Sequence, residues 1–247
     1  MIENTLEGRN AVIEALRAEK TLEKLYIQVG LKDGPINTII KQAKKNDIQP
    51  EFVTKERLDK LSETKKHQGV IAIMSAYDYS TVDEILEIAR KKEEPPFILI
   101  LDSIEDPYNL GAIIRTANQA GVHGIIIPKH RAVGLRASVA RTSAGAINYT
   151  PVAKVTNISK TIEELKKEGL WFICADMSGT SMYEVDFKGA IGIVIGNEGS
   201  GVSESVKKKC DFLVSIPMFG DIDSLNVSVA TGIMLYEINK KLGENNE

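Results

Sequence analysis

The spacing of apolar positions changes character once along the chain. Over the first ~75 residues, short helical and strand patterns alternate in the manner of a small α/β unit. GRNAVIEALRAE sets Ala11, Val12, Ala15 and Leu16 on one side of a helix, and KLYIQV predicts a strand. INTIIKQAKKN follows as a second helix, IQPEFV as a second strand and VIAIMS (70–75) as a buried closing strand. The texture then shifts to an acidic helix, VDEILEIARKKEE, ended by Pro95-Pro96, which cannot continue it. A boundary falls here, giving a first domain over 1–76, a linker over 77–96 and a second domain over 97–247.

Beyond the prolines, the runs FILIL (97–101), GIII (124–127), WFICA (171–175), IGIVI (191–195) and FLVSI (212–216) are separated by helical patterns. Runs apolar on both faces and spaced by helices belong to a parallel sheet covered on both sides, so residues 97–247 read as an α/β domain. Ligands of such sheets bind beyond the carboxyl ends of the strands. Three segments lie there. Asp102 to Gly111 precedes a helix carrying Arg115, Gly196-Asn197-Glu198-Gly199-Ser200-Gly201 follows IGIVI, and a stretch through Ser224, Leu225 and Asn226 opens the last helix.

The glycine-rich turn suits close approach to a ligand, yet it matches neither G-x-G-x-x-G nor the Walker pattern. Glu198 within it repels phosphate and favours an amine, a guanidinium or a ribose hydroxyl. A ligand-free turn is the plain alternative. In the same way Asn109 reads as the cap of the helix holding Arg115, Arg115 as an exposed helix charge, and Ser224 or Asn226 as the start of the last helix.

Composition narrows the class. Of 247 residues, 43% are hydrophobic and 26% charged, and no run approaches the ~18 uncharged apolar residues of a membrane span, so a soluble protein without a membrane partner is expected. The start, MIENTLEGRNAV, lacks the basic-then-apolar order of a secretory signal, which points to the cytoplasm. Cys174 and Cys210 have no C-x-x-C spacing and read as core thiols, and His67, His123 and His130 are too scattered for common ligand spacings, so no metal is expected. The net charge is −3, but residues 107–162 contain no Asp or Glu and carry Arg115, Lys129, Arg131, Arg136, Arg141, Lys154 and Lys160. That basic island is either a solvated face or a surface for a polyanion.

Three blocks taken together resemble a known family. DSIEDPYNLGAIIRTANQAGVHGIII (102–127), IVIGNEGSGV (193–202) and SIPMFGDIDSLNVSVATGIMLYE (215–237) are similar in residue type, order and spacing to the SpoU, or TrmH-like, branch of the SPOUT methyltransferases. The resemblance implies an α/β domain with a deep trefoil knot that methylates ribose 2′-hydroxyls of RNA with S-adenosylmethionine. GRNAVIEAL and HQGVIA (67–72) resemble the L30e-like substrate-binding domain of the RlmB-like subgroup, which implies a guanosine of 23S (large-subunit) ribosomal RNA, free or in a precursor particle. A transfer-RNA enzyme of the same family, a drug-resistance methylase of the same fold and a catalytically silent RNA-binding or ribosome-assembly factor are the alternatives.

By that resemblance Asn109, Arg115, Glu198, Ser224 and Asn226 gather at the reaction centre. A guanidinium stays protonated at ordinary pH, so Arg115 is expected to position substrate and stabilise developing alkoxide charge, oriented by Glu198. Ser224 and Asn226 then orient Arg115 or the ribose. The resemblance assigns the cofactor to Gly196, Ile216 and Leu225, with Gly199 and Met218 nearby. Lys129, Arg131, Arg136 and Arg141, with Arg9 of the first domain, become candidates for the RNA path. It also implies a homodimer packed through helices near the knot, so that Val227, Val229, Ile233, Met234 and Leu235 serve as core and interface. One departure is Asn197, where relatives can carry Ala.

Overall fold

The computed structural model describes residues 4–222 and 224–244. The chain divides into two compact units, Met1–Asp78 with Gly134–Ala137, and Tyr79–Val133 with Ser138–Glu247.

The first unit runs β1 (Thr5–Glu7), α1 (Arg9–Arg17), β2 (Leu22–Gln28), α2 (Gly34–Lys45), β3 (Glu51–Val53), α3 (Lys55–Leu61) and β4 (Val70–Met74). Its sheet has the order β1-β4-β2-β3, with β4 antiparallel to both neighbours and β3 parallel to β2. Val12 and Leu16 of α1 and Ile36 and Ile39 of α2 bury against Leu25 and Ile27 on one face. Leu58 of α3 packs with Tyr26, Ile71 and Ile73 on the other, as strand alternation requires. Residues 134–137 belong to this unit, and Ala76 N donates to Leu135 O at 2.9 Å. The Glu7 carboxylate holds the turn after α3: it accepts from the Ser62 and Thr64 hydroxyls and from the Glu63 and Thr64 N–H groups. Burial alone would raise its pKa, but those bonds prevail and hold it at about 2.

The second unit contains α4 (Val82–Lys92), β5 (Phe97–Asp102), α5 (Pro107–Gln119), β6 (Gly124–Pro128), α6 (Ala137–Thr142), β7 (Val152–Val155), α7 (Ile158–Lys167), β8 (Trp171–Ser181), β9 (Ile191–Gly196), α8 (Glu204–Lys207), β10 (Phe212–Ser215) and α9 (Val227–Glu244). The six strands of its sheet are parallel, in the order β10-β8-β9-β5-β6-β7. The five apolar runs are five of these strands, and β7 is a sixth that its four residues do not announce. The stretch 77–96, read as a linker containing an acidic helix, does carry that helix, α4, and the helix is not a free linker. A capping box between Thr81 and Glu84 starts that helix, and Ile85 and Leu86 enter the core beside Ile98, Ile100 and Phe172. Apolar burial makes it part of the second unit.

Two groups singled out in the sequence turn out to be structural. His123 accepts from Phe97 N through Nδ1 at 3.0 Å, which leaves the proton on Nε2, 2.9 Å from Glu94 Oε2. Burial pushes its pKa down, against the pull of Glu94. Cys174 is buried, and contact with the Cys210 thiol together with burial raises its pKa, making it an unreactive core group; Cys210 is only partly buried. Among the described residues no helix is long and apolar enough to cross a membrane.

Register sets up the site. β5 and β9 are central neighbours, with Asp102 opposite Gly196, so the segments that leave them start side by side at the carboxyl edge of the sheet.

Candidate active site

Asp102, buried at the end of β5, accepts from Ser203 N at 2.9 Å and from the Ser103 hydroxyl at 3.1 Å. It thereby ties the segment after β5 to the one after β9. Asp106 then caps α5, accepting from Tyr108 N and Asn109 N at 3.2 Å each, with Pro107 in the first turn. This corrects the expectation that Asn109 is the cap. With Asp106 in that role, the Asn109 side chain is available for other contacts.

The glycine-rich turn is built around Asn197. Its Oδ1 accepts from Gly199 N at 3.0 Å and from Ser200 N at 2.7 Å, while Gly201 N donates to Asn197 O at 3.1 Å. A Cβ on Gly196 would lie 2.0 Å from the Gly201 carbonyl carbon, and Gly201 itself takes φ +66°, so both positions require glycine. The N–H groups of Gly199 and Ser200 that a phosphate would use are spent inside the turn. This is a physical reason for the absence of a polyphosphate pattern.

Glu198, at the tip of that turn, joins all three segments. Its Oε1 accepts from Asn109 Nδ2 at 3.0 Å, from Asn226 Nδ2 at 2.8 Å and from Val227 N at 3.4 Å. Asn226 Nδ2 also donates to Asn109 Oδ1 at 3.0 Å, closing a three-residue ring. Asn226 Oδ1 meanwhile accepts from Ser228 N at 3.0 Å and caps α9. The orientation of both amides is thus set by the network. Oε2 of Glu198 receives no hydrogen bond from the described residues and stands as a spare acceptor.

Beside the ring lies a cleft of about 340 Å³, with Ser103, Glu105, Asp106, Asn109, Glu198 and Val227 among its walls. No Lys or Arg is among its described lining residues. The cleft therefore suits a neutral group rich in hydrogen-bond donors and disfavours a phosphate.

The other expected site residues are placed differently. Arg115 is exposed on α5 and forms no hydrogen bond or ion pair with the described residues, so the expected Glu198 contact is replaced by the amide ring. Six residues along a helix correspond to roughly 240° of rotation, which sends Arg115 away from the face of Asn109. Ser224 is exposed and forms no bond to the ring among the described residues. Of the cofactor candidates, Gly199 lies in the turn, Ile216 is half-buried, and Met218 and Leu225 are each 37% exposed. The main-chain N–H groups of Met218 and Leu225 reach no main-chain carbonyl among the described residues. Apolar side chains next to unspent amides fit an adenine ring whose edge is read by backbone.

The five basic candidates do not all share one environment. Lys129, Arg131 and Arg141 are exposed on the second unit. Arg9 and Arg136 belong to the first. Arg9 is engaged by Asp33 at 2.8 Å and by Gln68 O at 3.0 Å, and Arg136 has a buried Nε without a partner among the described residues. Asp102, Asp106 and Asn197 hold the site without forming the ring and are absent from the residues expected there. Asp-Pro at 106–107 is a visible helix-start signal; the Asp102–Ser203 bond, 101 residues apart, has none.

Comparison with known proteins gives this architecture its class. Residues 96–236 match the model of the SpoU rRNA Methylase family, and residues 5–80 match that of the RNA 2′-O ribose methyltransferase substrate binding domain. YacO of Bacillus subtilis (strain 168), named for the TrmH family of tRNA/rRNA methyltransferases, is 46% identical over 235 residues, 95% of this chain and 94% of that protein. A TrmH-family protein of Staphylococcus saprophyticus is 45% identical over 242 residues, 98% of this chain and 97% of that protein. Among solved structures, the AdoMet-bound rRNA methyltransferase from Sinorhizobium meliloti is 25% identical with a TM-score of 0.60, over 96% of this chain and 87% of that one. The SpoU methyltransferase AviRb from Streptomyces viridochromogenes, 22% identical with a TM-score of 0.62 over 98% of this chain and 90% of that one, shares the fold. The chain belongs to the SpoU/TrmH family of RNA methyltransferases.

Proposed function

We propose that the protein is an S-adenosylmethionine-dependent 2′-O-ribose methyltransferase whose target is a guanosine of 23S ribosomal RNA, free or within a precursor particle. The carrying observation is the ring of Asn109, Glu198 and Asn226, which fixes a carboxylate beside an acceptor-lined cleft.

A ribose hydroxyl is a weak nucleophile, and alignment supplies much of the acceleration open to such an enzyme. The spare Oε2 of Glu198 accepts the 2′-hydroxyl hydrogen and points an oxygen lone pair along the line of attack. Asn109 and Asn226 keep that carboxylate from rotating. Ser224 lies two residues before Asn226 and is assigned to the ribose. Arg115 remains protonated and is assigned to a substrate phosphate and to charge developing on the attacking oxygen. Gly196, Gly199, Ile216, Met218 and Leu225 would hold S-adenosylmethionine, which supplies an electrophilic methyl on a sulfonium. The family's trefoil knot would lie in this carboxyl-terminal stretch.

Lys129, Arg131 and Arg141 are assigned to RNA phosphates. The first unit, bounded near residue 78, is assigned to choosing the RNA, and cytoplasmic location follows from such a substrate. A homodimer is part of the proposal. Val227, Met234 and Leu235 of α9 are buried, whereas Val229, Ile233 and Tyr236 turn apolar surface outward, the arrangement of a helix with a core face and a face for a second copy.

The test is tritium transfer from labelled S-adenosylmethionine to large-subunit RNA lacking the modification, with transfer RNA and precursor particles in parallel and mass mapping of the product. Label on a single guanosine ribose, lowered by roughly 100-fold in Asn109→Ala and Glu198→Ala, is expected. Cofactor binding without label on any of these RNAs would replace this reading with a silent RNA-binding factor; label on transfer RNA alone would move the target.

A further inference from the structure

We propose that Glu105 selects the target base, its carboxylate accepting both donors of a guanine Watson–Crick edge, N1–H and N2–H. The inference rests on the methyl-transfer reading above and names the residue by which the cleft distinguishes one nucleoside from another.

Acceptors along the cleft are mostly committed elsewhere. Asp106 is spent on capping α5, one oxygen to Tyr108 N and the other to Asn109 N. Asn197 Oδ1 closes the glycine-rich turn, and Glu198 Oε1 holds the ring. Glu105 differs from all of these. It lines the same cleft four residues before Asn109, is exposed, and its carboxylate receives no hydrogen bond or ion pair from the described residues. With no Lys or Arg in the described lining, nothing there neutralises it.

An ionised carboxylate only accepts, with two oxygens side by side. The four bases answer that demand differently on their pairing edges. Guanine presents N1–H and N2–H as adjacent donors. Adenine and cytosine place a ring-nitrogen acceptor beside their amino group, and uracil flanks a single N–H with two carbonyl oxygens. Only guanine meets two carboxylate oxygens without setting an acceptor against one of them. In the same cleft the spare oxygen of Glu198 accepts from a hydroxyl, so the two carboxylates together suit a nucleoside that offers both a ribose donor and a guanine edge.

The experiment measures binding of free guanosine, inosine and adenosine to the full chain in the presence of S-adenosylmethionine, for wild type, Glu105→Gln and Glu105→Ala. Inosine differs from guanosine only in lacking the N2 amine. Wild type is expected to prefer guanosine over inosine by roughly 10-fold or more, the usual worth of a paired base contact. In both variants the preference should shrink to within about 2-fold, with the unfolding midpoint unchanged. Equal binding of guanosine and inosine by wild type, or a preference kept in the variants, overturns the assignment. A second arm compares methyl transfer to RNA carrying guanosine or inosine at the mapped position and should show the same loss of discrimination. If no RNA is methylated, the functional reading fails, and the nucleoside measurement still decides whether Glu105 reads guanine.

Discussion

Asn226 donates to Glu198 at 2.8 Å while its carbonyl oxygen caps the helix that follows, so one side chain both starts α9 and holds the carboxylate in the cleft. Because Asn109 completes the same ring, either residue's removal leaves Glu198 with one side-chain amide partner beside the Val227 N–H. Asn226→Ala and Glu198→Ala are each expected to lower methyl transfer by roughly 100-fold, the scale seen when one oriented group leaves an active site. The double variant should be little worse than either single one, since groups that act as a unit are not additive. Multiplicative losses in single-turnover rates would show that the ring is not the working unit.

The turn that presents Glu198 can be tested through its glycines. Gly196→Ala sets a Cβ 2.0 Å from the Gly201 backbone, and backbone cannot swing away as a flexible side chain can. A loss of about 1–3 kcal/mol in denaturant unfolding is expected, with weaker cofactor binding. Gly199→Ala is the contrast: its added Cβ would meet only Asn197 Oδ1, at 3.7 Å, an ordinary contact. Its unfolding midpoint should stay near wild type. Equal destabilisation by the two would mean the tight passage at Gly196 is not what shapes the turn.

Glu7 makes the first unit sensitive to acid. Its folded pKa of about 2 lies below the ordinary 4.5, so its contribution is fully present above pH ~4.5 and is lost as pH falls from there toward 2. Glu7→Gln should cost about 1.5–3 kcal/mol at neutral pH, the range for hydrogen bonds to a charged group. The difference between wild type and variant should narrow across that acid window. Hydrogen exchange at the Glu63 and Thr64 amides, which donate to Glu7, localises the effect. A gap independent of pH would mean the carboxylate's charge contributes nothing.

Much of the second unit is legible in the sequence because parallel strands buried on both faces leave continuous apolar runs, and β5, β6, β9 and β10 coincide with such runs to within a residue. β8 extends to Ser181, past WFICA, because its later residues pair along β10 although the sequence there turns polar. β1, with three residues, and α3, with Leu58 as its buried side chain, carry too little pattern to be seen. α4 is legible as a helix but not as part of the second unit; its charged face shows in the sequence, whereas its partners Ile98 and Phe172 are a matter of tertiary packing. In the site, Asn109, Glu198 and Asn226 are named by motif resemblance, but their mutual bonds span 89, 28 and 117 residues and leave no local trace. Arg115 stands apart from that ring, as six-residue spacing on a helix, which takes it off the face of Asn109, already implies.

The basic surface carries the last prediction. Lys129, Arg131 and Arg141 are exposed on the second unit, whereas Arg9 and Arg136 are half-buried. The first three should therefore account for most of the salt-dependent affinity for RNA among these five. Every phosphate left without its cation lowers the slope of log affinity against log salt by roughly 0.7 on single strands. Neutralising Arg131 and Arg141 together should reduce that slope by about 1–2 and weaken binding to unrelated RNAs alike, while Arg9→Gln should act mainly through stability, by loosening the bonds to Asp33 and Gln68. Filter binding of the same RNA at several salt concentrations separates the two. A slope unchanged in the double variant but reduced in Arg9→Gln would move the RNA path from the second unit to the first.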